Sequence, residues 1–316
     1  TEQLAGDEIS ESNARTQIAT TFLRLGTWDD EPADPFADRY DQLDDVLATT
    51  ASAFLGLTLR CARCHDHKFE PLSQQDYYGI LAVFTPLKRP EKIKSATHRE
   101  EFDREVGSAS ELAAYRDANK RTDEQLTHLN SQLSQLLDPV RKTVLDASAL
   151  GKDKDLPADF AQAFRTAADK RNDPQKKLVK KHTKAFERRM SESLSDAQRE
   201  QRTGWVADIL RVTASRPSKP PRAYIWYEDT AKAATTNLFE RGDPYQPKLE
   251  VQPGVPVVLR GQPIAAPQTL EKSTGRRLWL SRWMTSRSNP LVARVFVNRV
   301  WQHLLGEGLV TSESDF

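Results

Sequence analysis

The two cysteines of this chain lie three residues apart, as Cys61-Ala-Arg-Cys64, with His65 directly behind them and His67 two residues further on. Cys-x-x-Cys-His is the spacing of a c-type haem attachment site. On a helical turn, residues at i, i+3 and i+4 share one face. Two thiols so placed can form thioethers with the porphyrin vinyl groups, and the imidazole behind them can ligate the iron. The same stretch offers a second chemistry: Cys61, Cys64, His65 and His67 as ligands for zinc or iron without porphyrin, with Asp66 or Glu70 behind them. Four ligands this close in sequence rarely close around one tetrahedral centre, and no second Cys-x-x-Cys or His-x-x-x-His supplies distant ones. A third reading is a Cys61–Cys64 disulfide that stiffens a loop. A thioredoxin-like pair is disfavoured, because the preceding apolar pattern puts the cysteines at the end of a helix. Only a helix start would lower a thiol pKa.

The elements around this stretch read as helices. Residues 1 to about 25 carry helical spacing at Ile18, Phe22 and Leu25, and the acidic, Pro-containing stretch Trp28 to Asp38 reads as a loop. From Arg39, the positions Leu43, Val46, Leu47, Phe54, Leu55 and Thr58 fit one helix running up to the cysteines. Its acidic start (Asp41, Asp44, Asp45) suits a helix N-terminus. Pro71 forces the chain out of helix after the motif. Ser73-Gln-Gln-Asp76 then reads as a capping box that starts a helix with Tyr77, Tyr78, Ile80, Leu81, Val83 and Phe84. Two such helices can wall a macrocycle, or they can pack on each other as a hairpin.

Further along, Leu112, Tyr115, Asn119, Thr122, Leu126, Leu129, Leu133, Leu136, Val140 and Val144 form a heptad-like seam, interrupted at Pro139. Helical segments near 157–170, 174–191 and 194–211 follow, giving an antiparallel coiled-coil arm through which copies could assemble. The basic run Lys176 to Arg189 reads as a solvated helix face, and without interleaved aromatic residues it is no platform for nucleic acid. After Pro217 to Pro221, strands are expected at Arg222–Glu228, from Asn237, at Lys248–Val251 and, edge-like, at Val255–Leu259. Two closing helices follow. Arg276–Met284 carries Trp279 and Trp283; the helix from Leu291 to Leu305 starts at Asn289-Pro290 and stops at Gly306, with Val292, Val295, Phe296, Val300 and Leu304 as its core stripe.

The fold class is therefore mainly α: a compact helical domain with the Cys-x-x-Cys-His loop (1–95), a long coiled-coil arm (96–215), and a small β-module with C-terminal helices (216–316). The 316 residues suffice for two cores. Charges nearly cancel at +1 with 29 % charged residues, so no global argument for nucleic acid or an anionic membrane arises. Apolar content is 38 % and mean hydropathy −0.66, as a solvated helical arm would give. No apolar run approaches the roughly 20 residues of a transmembrane helix. The chain starts at Thr1 and reads as an excerpt of a longer protein, so the lack of a visible signal peptide says nothing about export.

The run Arg39-Tyr-Asp-Gln-Leu-Asp-Asp-Val-Leu-Ala-Thr-Thr, continuing through Phe54-Leu-Gly-Leu-Thr into Cys61-Ala-Arg-Cys64-His65-Asp-His67-Lys-Phe-Glu-Pro71, resembles the planctomycete-type cytochrome c-like secreted proteins. Arg241-Gly-Asp-Pro, Val251-Gln-Pro-Gly-Val-Pro and Asn289-Pro-Leu-Val-Ala-Arg-Val-Phe-Val-Asn298-Arg299-Val-Trp301-Gln-His303-Leu-Leu-Gly306 resemble their partner domain. The resemblance implies paired domains of unknown function, PSCyt-type followed by PSD-type, in a periplasmic or secreted protein. Asp66, His67 and Lys68 belong to the family's pattern, although plain haem attachment needs none of them. The leading expectation is a c-type haem protein for electron transfer or haem-based redox chemistry. Cys61 and Cys64 form the thioethers, His65 is the proximal ligand, and the distal ligand comes from His303, His98, Met284 or Met190, His303 first. The alternatives are the porphyrin-free zinc or iron site in an extracytoplasmic enzyme and a cell-envelope interaction scaffold. The redox partner or substrate is not specified by the residues.

Overall fold

A computed structural model describes residues 1–27, 29, 31–88, 103–233, 235–260 and 265–312. It is mainly helical, with two small antiparallel two-stranded sheets. The chain forms two compact units, one from residues 1–112 with 220–316 and one from 113–219. The Cys-x-x-Cys-His segment and the C-terminal helices, separate in the sequence reading, thus share one core.

In the first unit, α1 (Glu2–Ala5) and α2 (Ala14–Ala19) lead into a 3₁₀ turn at Thr20–Arg24. Asn13 caps α2 in a box with Thr16. α3 (Pro35–Thr50) starts where the Asp34 carboxylate accepts the Phe36 and Ala37 N–H groups, with Pro at the first helical position. This start lies four residues before the expected one. α3 does not run to the cysteines. It loosens into a π turn at Ala51–Leu55 and stops at Gly56, which takes a left-handed conformation (φ +62°) that a side chain would disfavour. The cysteines sit on a separate 3₁₀ turn, Leu59–Arg63. α4 (Gln74–Phe84) begins at the expected Ser73–Asp76 capping box.

α3 and α4 pack directly on each other. Leu43, Val46 and Leu47 lie in one buried cluster with Tyr77, Ile80, Leu81 and Phe84, so the hairpin alternative holds and no macrocycle-shaped gap separates the two helices. The cluster also takes in Phe239, Val251, Leu280, Trp283, Met284 and Leu291 from the C-terminal part.

The β-content is smaller than expected. β1 (Arg104–Glu105) pairs with β2 (Arg222–Ala223), and the predicted strand to Glu228 reduces to β2 plus one bridge between Tyr227 and Lys88. β3 (Thr236–Phe239) and β4 (Pro247–Val251) form a hairpin with a register irregularity between Asn237 and Phe239. Val257–Leu259 is a 3₁₀ turn, not a strand. Its Val257 N–H bonds to the Asp76 carboxylate of α4 and its Leu259 N–H closes on the Pro256 carbonyl, while the preceding Gly254 N–H bonds to the Gly79 carbonyl, so these amides are spent outside any ladder.

α9 (Arg276–Met284) and α10 (Leu291–Leu305) follow the sequence reading in extent. The Asn289 side chain accepts the Leu291 and Val292 amides, and Gly306 ends α10 at φ +90°. The expected stripe of α10 is corrected: Leu291, Val295 and Asn298 are buried, whereas Phe296, Val300 and Leu304 are exposed. Arg299 sets that rotation by donating to the Ser52 and Ala53 carbonyls. Asn298 makes two bonds to the Val310 backbone, so a polar residue fills an inward position.

The second unit contains most of α5 (Ala109–Ala149), with α6 (Ala158–Arg165), α7 (Asp173–Glu192) and α8 (Asp196–Ala214). α5 continues through Pro139, where the sequence suggested an interruption. Asn172 with Gln175 and Ser195 with Gln198 form capping boxes that start α7 and α8. Val144, Leu145, Leu156, Phe160, Phe186 and Met190 make its core. The seam further along α5 is only half-buried at Leu126, Leu129, Leu133 and Leu136. No helix among the described residues is long and apolar enough to cross a membrane.

Candidate functional site

In a 3₁₀ turn, side chains at i and i+3 eclipse one another. The Leu59–Arg63 turn, extended by Cys64 at its end, therefore stacks Cys61 and Cys64 on the outer side while Leu59 and Ala62 are buried beneath. Both thiols are free and exposed. The turn is anchored by its two arginines. Arg60 Nε donates to the buried Asp44 carboxylate at 2.7 Å, and Arg63 pairs with Asp41 at 2.8 Å. Tyr77 completes the Asp44 site with a hydrogen bond of 2.7 Å, and burial, then the Asp44 charge, pushes its phenol well above the usual range. Because α3 starts at Pro35 and carries Asp38 in its first turn, Asp41 and Asp44 lie further along it and anchor the cysteine turn instead of serving as the helix-dipole partners expected of them.

His65 is exposed, and its Nδ1 lies 2.7 Å from the Asp66 carbonyl oxygen. A carbonyl only accepts, so Nδ1 carries the proton and Nε2 presents a free lone pair to solvent. This arrangement fixes the tautomer of a ligating imidazole. The Asp66 side chain meanwhile accepts the Gln74 N–H at the start of α4, at 2.7 Å.

His67 is used differently. Its Nδ1 accepts the Glu70 N–H at 2.8 Å and the Phe69 N–H at 3.3 Å. Its Nε2 therefore holds the proton and donates to Thr58 Oγ1 at 3.2 Å, and that hydroxyl donates to Glu70 Oε2 at 3.3 Å. Both ring nitrogens are committed to holding the 67–72 loop, which also closes on the His67 N–H to Leu72 carbonyl bond. Among the described residues no group of three or more His, Cys, Asp or Glu side chains converges where one ion could sit. The donor set expected for zinc, Cys61, Cys64, His65 and His67, is split by this loop into two outward thiols with one outward imidazole, and one inward brace.

The β3–β4 turn, which motif reading left outside the site, borders it. Gln74 Nε2 bridges the Arg63 and Phe239 carbonyls at 2.9 and 3.0 Å, and Tyr78 Oη donates to the Arg63 carbonyl at 3.2 Å. These bonds bring Gly242 against Cys64, where a Cβ would stand 2.8 Å from Sγ. Burial raises the Tyr78 phenol, the Phe239 backbone and Arg63 act against it, and the nearby Cys64 sulfur adds to the rise. The signal in the sequence was Arg241-Gly242-Asp243-Pro244, readable as a turn but not as a neighbour of Cys64.

The four distal candidates fare unequally. Met284 is buried in the first core and Met190 in the core of the second unit. His98 lies outside the described residues. His303 is exposed in the last turn of α10.

Two family models match the chain: PSCyt2, described as a protein of unknown function (DUF1549), over residues 1–89, and PSD1, described as a protein of unknown function (DUF1553), over residues 276–316. No curated protein and no solved structure matches it. With the cysteine turn inside the first match and α9–α10 inside the second, the chain carries the paired PSCyt2 and PSD1 domains of unknown function.

Proposed function

We propose that the Cys61–His65 turn is the attachment site of a c-type haem in an exported electron-transfer or redox protein. The observation that carries this reading is the outward Nε2 lone pair of His65, set by the Asp66 carbonyl, beside two free exposed thiols on one 3₁₀ turn. The donor chemistry fits the group: thioethers at the rim and an imidazole at the centre of a macrocycle need donors that are spread out. A single zinc ion needs them all within about 2.0–2.3 Å. Bound haem would supply one-electron chemistry. The chain's own part is to hold Cys61 and Cys64 through Arg60–Asp44 and Arg63–Asp41, to keep His65 in one tautomer, and to brace the following loop through His67. Because α3 and α4 close on each other, the macrocycle would lie on the surface of the turn, where Phe69 (84 % exposed) offers apolar cover. Of the distal candidates among the described residues, His303 is the exposed one.

The test is periplasmic expression beside a haem c maturation system, read by visible spectrum and intact mass. A reduced α-band with one covalently added haem, both lost in the Cys61→Ala/Cys64→Ala double variant, supports the reading. A colourless protein of unmodified mass, matured beside a control cytochrome that did load, overturns it.

A further inference from the structure

The two thiols of the turn do not have the same surroundings. Cys64 is bordered by the β3–β4 turn, and the approach is so close that a Cβ on Gly242 would stand 2.8 Å from Cys64 Sγ and 3.2 Å from Arg63 Cγ. Real Cβ atoms do not come that near sulfur, so glycine is required there on steric grounds, and its φ of +78° requires it again on conformational grounds. Its neighbour Arg241 (φ +49°) is the non-glycine residue with positive φ among the described residues, a costly conformation that persists where surrounding contacts impose it. The imposing contacts are visible. Glu240 N–H bonds to the Gln246 carbonyl at 2.9 Å, Asp243 N–H to the Glu240 carbonyl at 2.9 Å, and the Gln74 carboxamide ties Phe239 to Arg63. Cys61, in the middle of the 3₁₀ turn, does not supply any of the three atoms nearest that position, which belong to Cys64 and Arg63.

We propose that the Arg241–Gly242 turn is a positioning element of the cysteine site, shielding one side of Cys64 so that Cys61 is the thiol that reacts first and Cys64 closes the second bond. Resting on the haem reading, this assigns an order to attachment. Each thiol S–H adds across one vinyl double bond, sulfur bonding to one carbon and the proton going to the other, with no oxidant or reductant consumed. Access decides the order, since a thiol's rate follows its thiolate fraction and its approach, and both residues stand on the same turn.

The test needs no haem. The reduced full chain is treated with limiting iodoacetamide, and alkylation at Cys61 and Cys64 is quantified by peptide mass spectrometry. The ratio is divided by the ratio for the same chain in urea, which removes differences due to neighbouring residues. The expected result is a several-fold excess at Cys61 in the folded chain. Equal rates, or faster labelling at Cys64, overturn the proposal. In Gln74→Ala, which cuts the tie between the turn and Arg63, the ratio should fall towards one through a faster Cys64 while the Cys61 rate holds. A ratio that stays at the wild-type value in a folded Gln74→Ala variant also overturns it, because a residue that merely supports the fold would not move one thiol alone. Failure to load haem would sink the proposed function and leave this ratio standing; equal labelling in a protein that does load haem would do the reverse.

Discussion

Arg277 is the most informative residue to remove. It is fully buried, and its guanidinium meets three carboxylates and a carbonyl: Nη1 reaches Asp7 at 2.7 Å and the Leu4 carbonyl at 3.0 Å, Nη2 reaches Asp7 at 2.9 Å and Glu8 at 2.8 Å, and Nε reaches Glu228 at 3.2 Å. Glu8 and Glu228 keep further donors, from Ser273 and Leu278 N–H and from the Thr274 N–H and hydroxyl. Arg277→Met therefore leaves the carboxylates hydrogen-bonded but without a countercharge. Breaking a buried pair in this way costs about 3–5 kcal/mol. For a unit of about two hundred residues, that is a fall of about 6–20 °C in Tm. The loss should depend on pH. Burial pushes Glu8 up to about 7, against Arg277 and Ser273, with Glu228 and Asp7 adding to the rise. A carboxyl raised in the folded state keeps a proton that the unfolded chain has released, so wild-type stability falls as pH climbs from about 4.5 to 7, by about 3 kcal/mol from this group. Without Arg277 the carboxylates take protons more readily, so the variant's deficit should be smaller at pH 5 than at pH 8. Thermal and urea unfolding followed by tryptophan fluorescence at both pH values measures this. A Tm within about 3 °C of wild type at pH 8, or a deficit larger at pH 5, would refute the account.

Two further outcomes follow from the geometry. His67→Ala removes the acceptor of the Glu70 and Phe69 amides and should cost about 1–3 kcal/mol, whereas His65→Ala should leave stability nearly unchanged; on the proposed haem reading, the first variant should still load haem and the second should show an altered visible spectrum. The reverse pattern in paired melts and spectra would assign the two histidines wrongly. Gly275→Ala combines a φ of +67° with a Cβ only 2.0 Å from the Gln268 carbonyl oxygen, and should cost more than Gly151→Ala, where φ is +64° but nothing lies within 4 Å. The latter should cost only the backbone penalty of about 1–2 kcal/mol; equal melting losses would remove the steric half of that argument.

The sequence by itself determined the helical character, the α4 capping box and the extents of α9 and α10. These depend on short-range pattern: apolar spacing, caps, and a glycine or proline at a defined place. For the cysteine stretch it offered haem, a bare metal, a disulfide or idle thiols, alternatives that the spacing alone leaves open. Only the folded structure separated His65 from His67, since the tautomer of each ring, and whether a nitrogen is left over, is decided by partners such as the Asp66 carbonyl and Thr58 that spacing does not reveal. The stripe of α10 turned for the same reason: Arg299 found its acceptors at Ser52 and Ala53, about 250 residues earlier, and that long-range bond outweighed the local apolar pattern. Val255–Leu259 looked like a strand by composition, yet its Val257 amide and that of the preceding Gly254 bond to α4. Likewise Gly242 became part of the cysteine site only when Gln74 tied Phe239 to Arg63, because contact between segments that far apart follows from packing and not from local pattern.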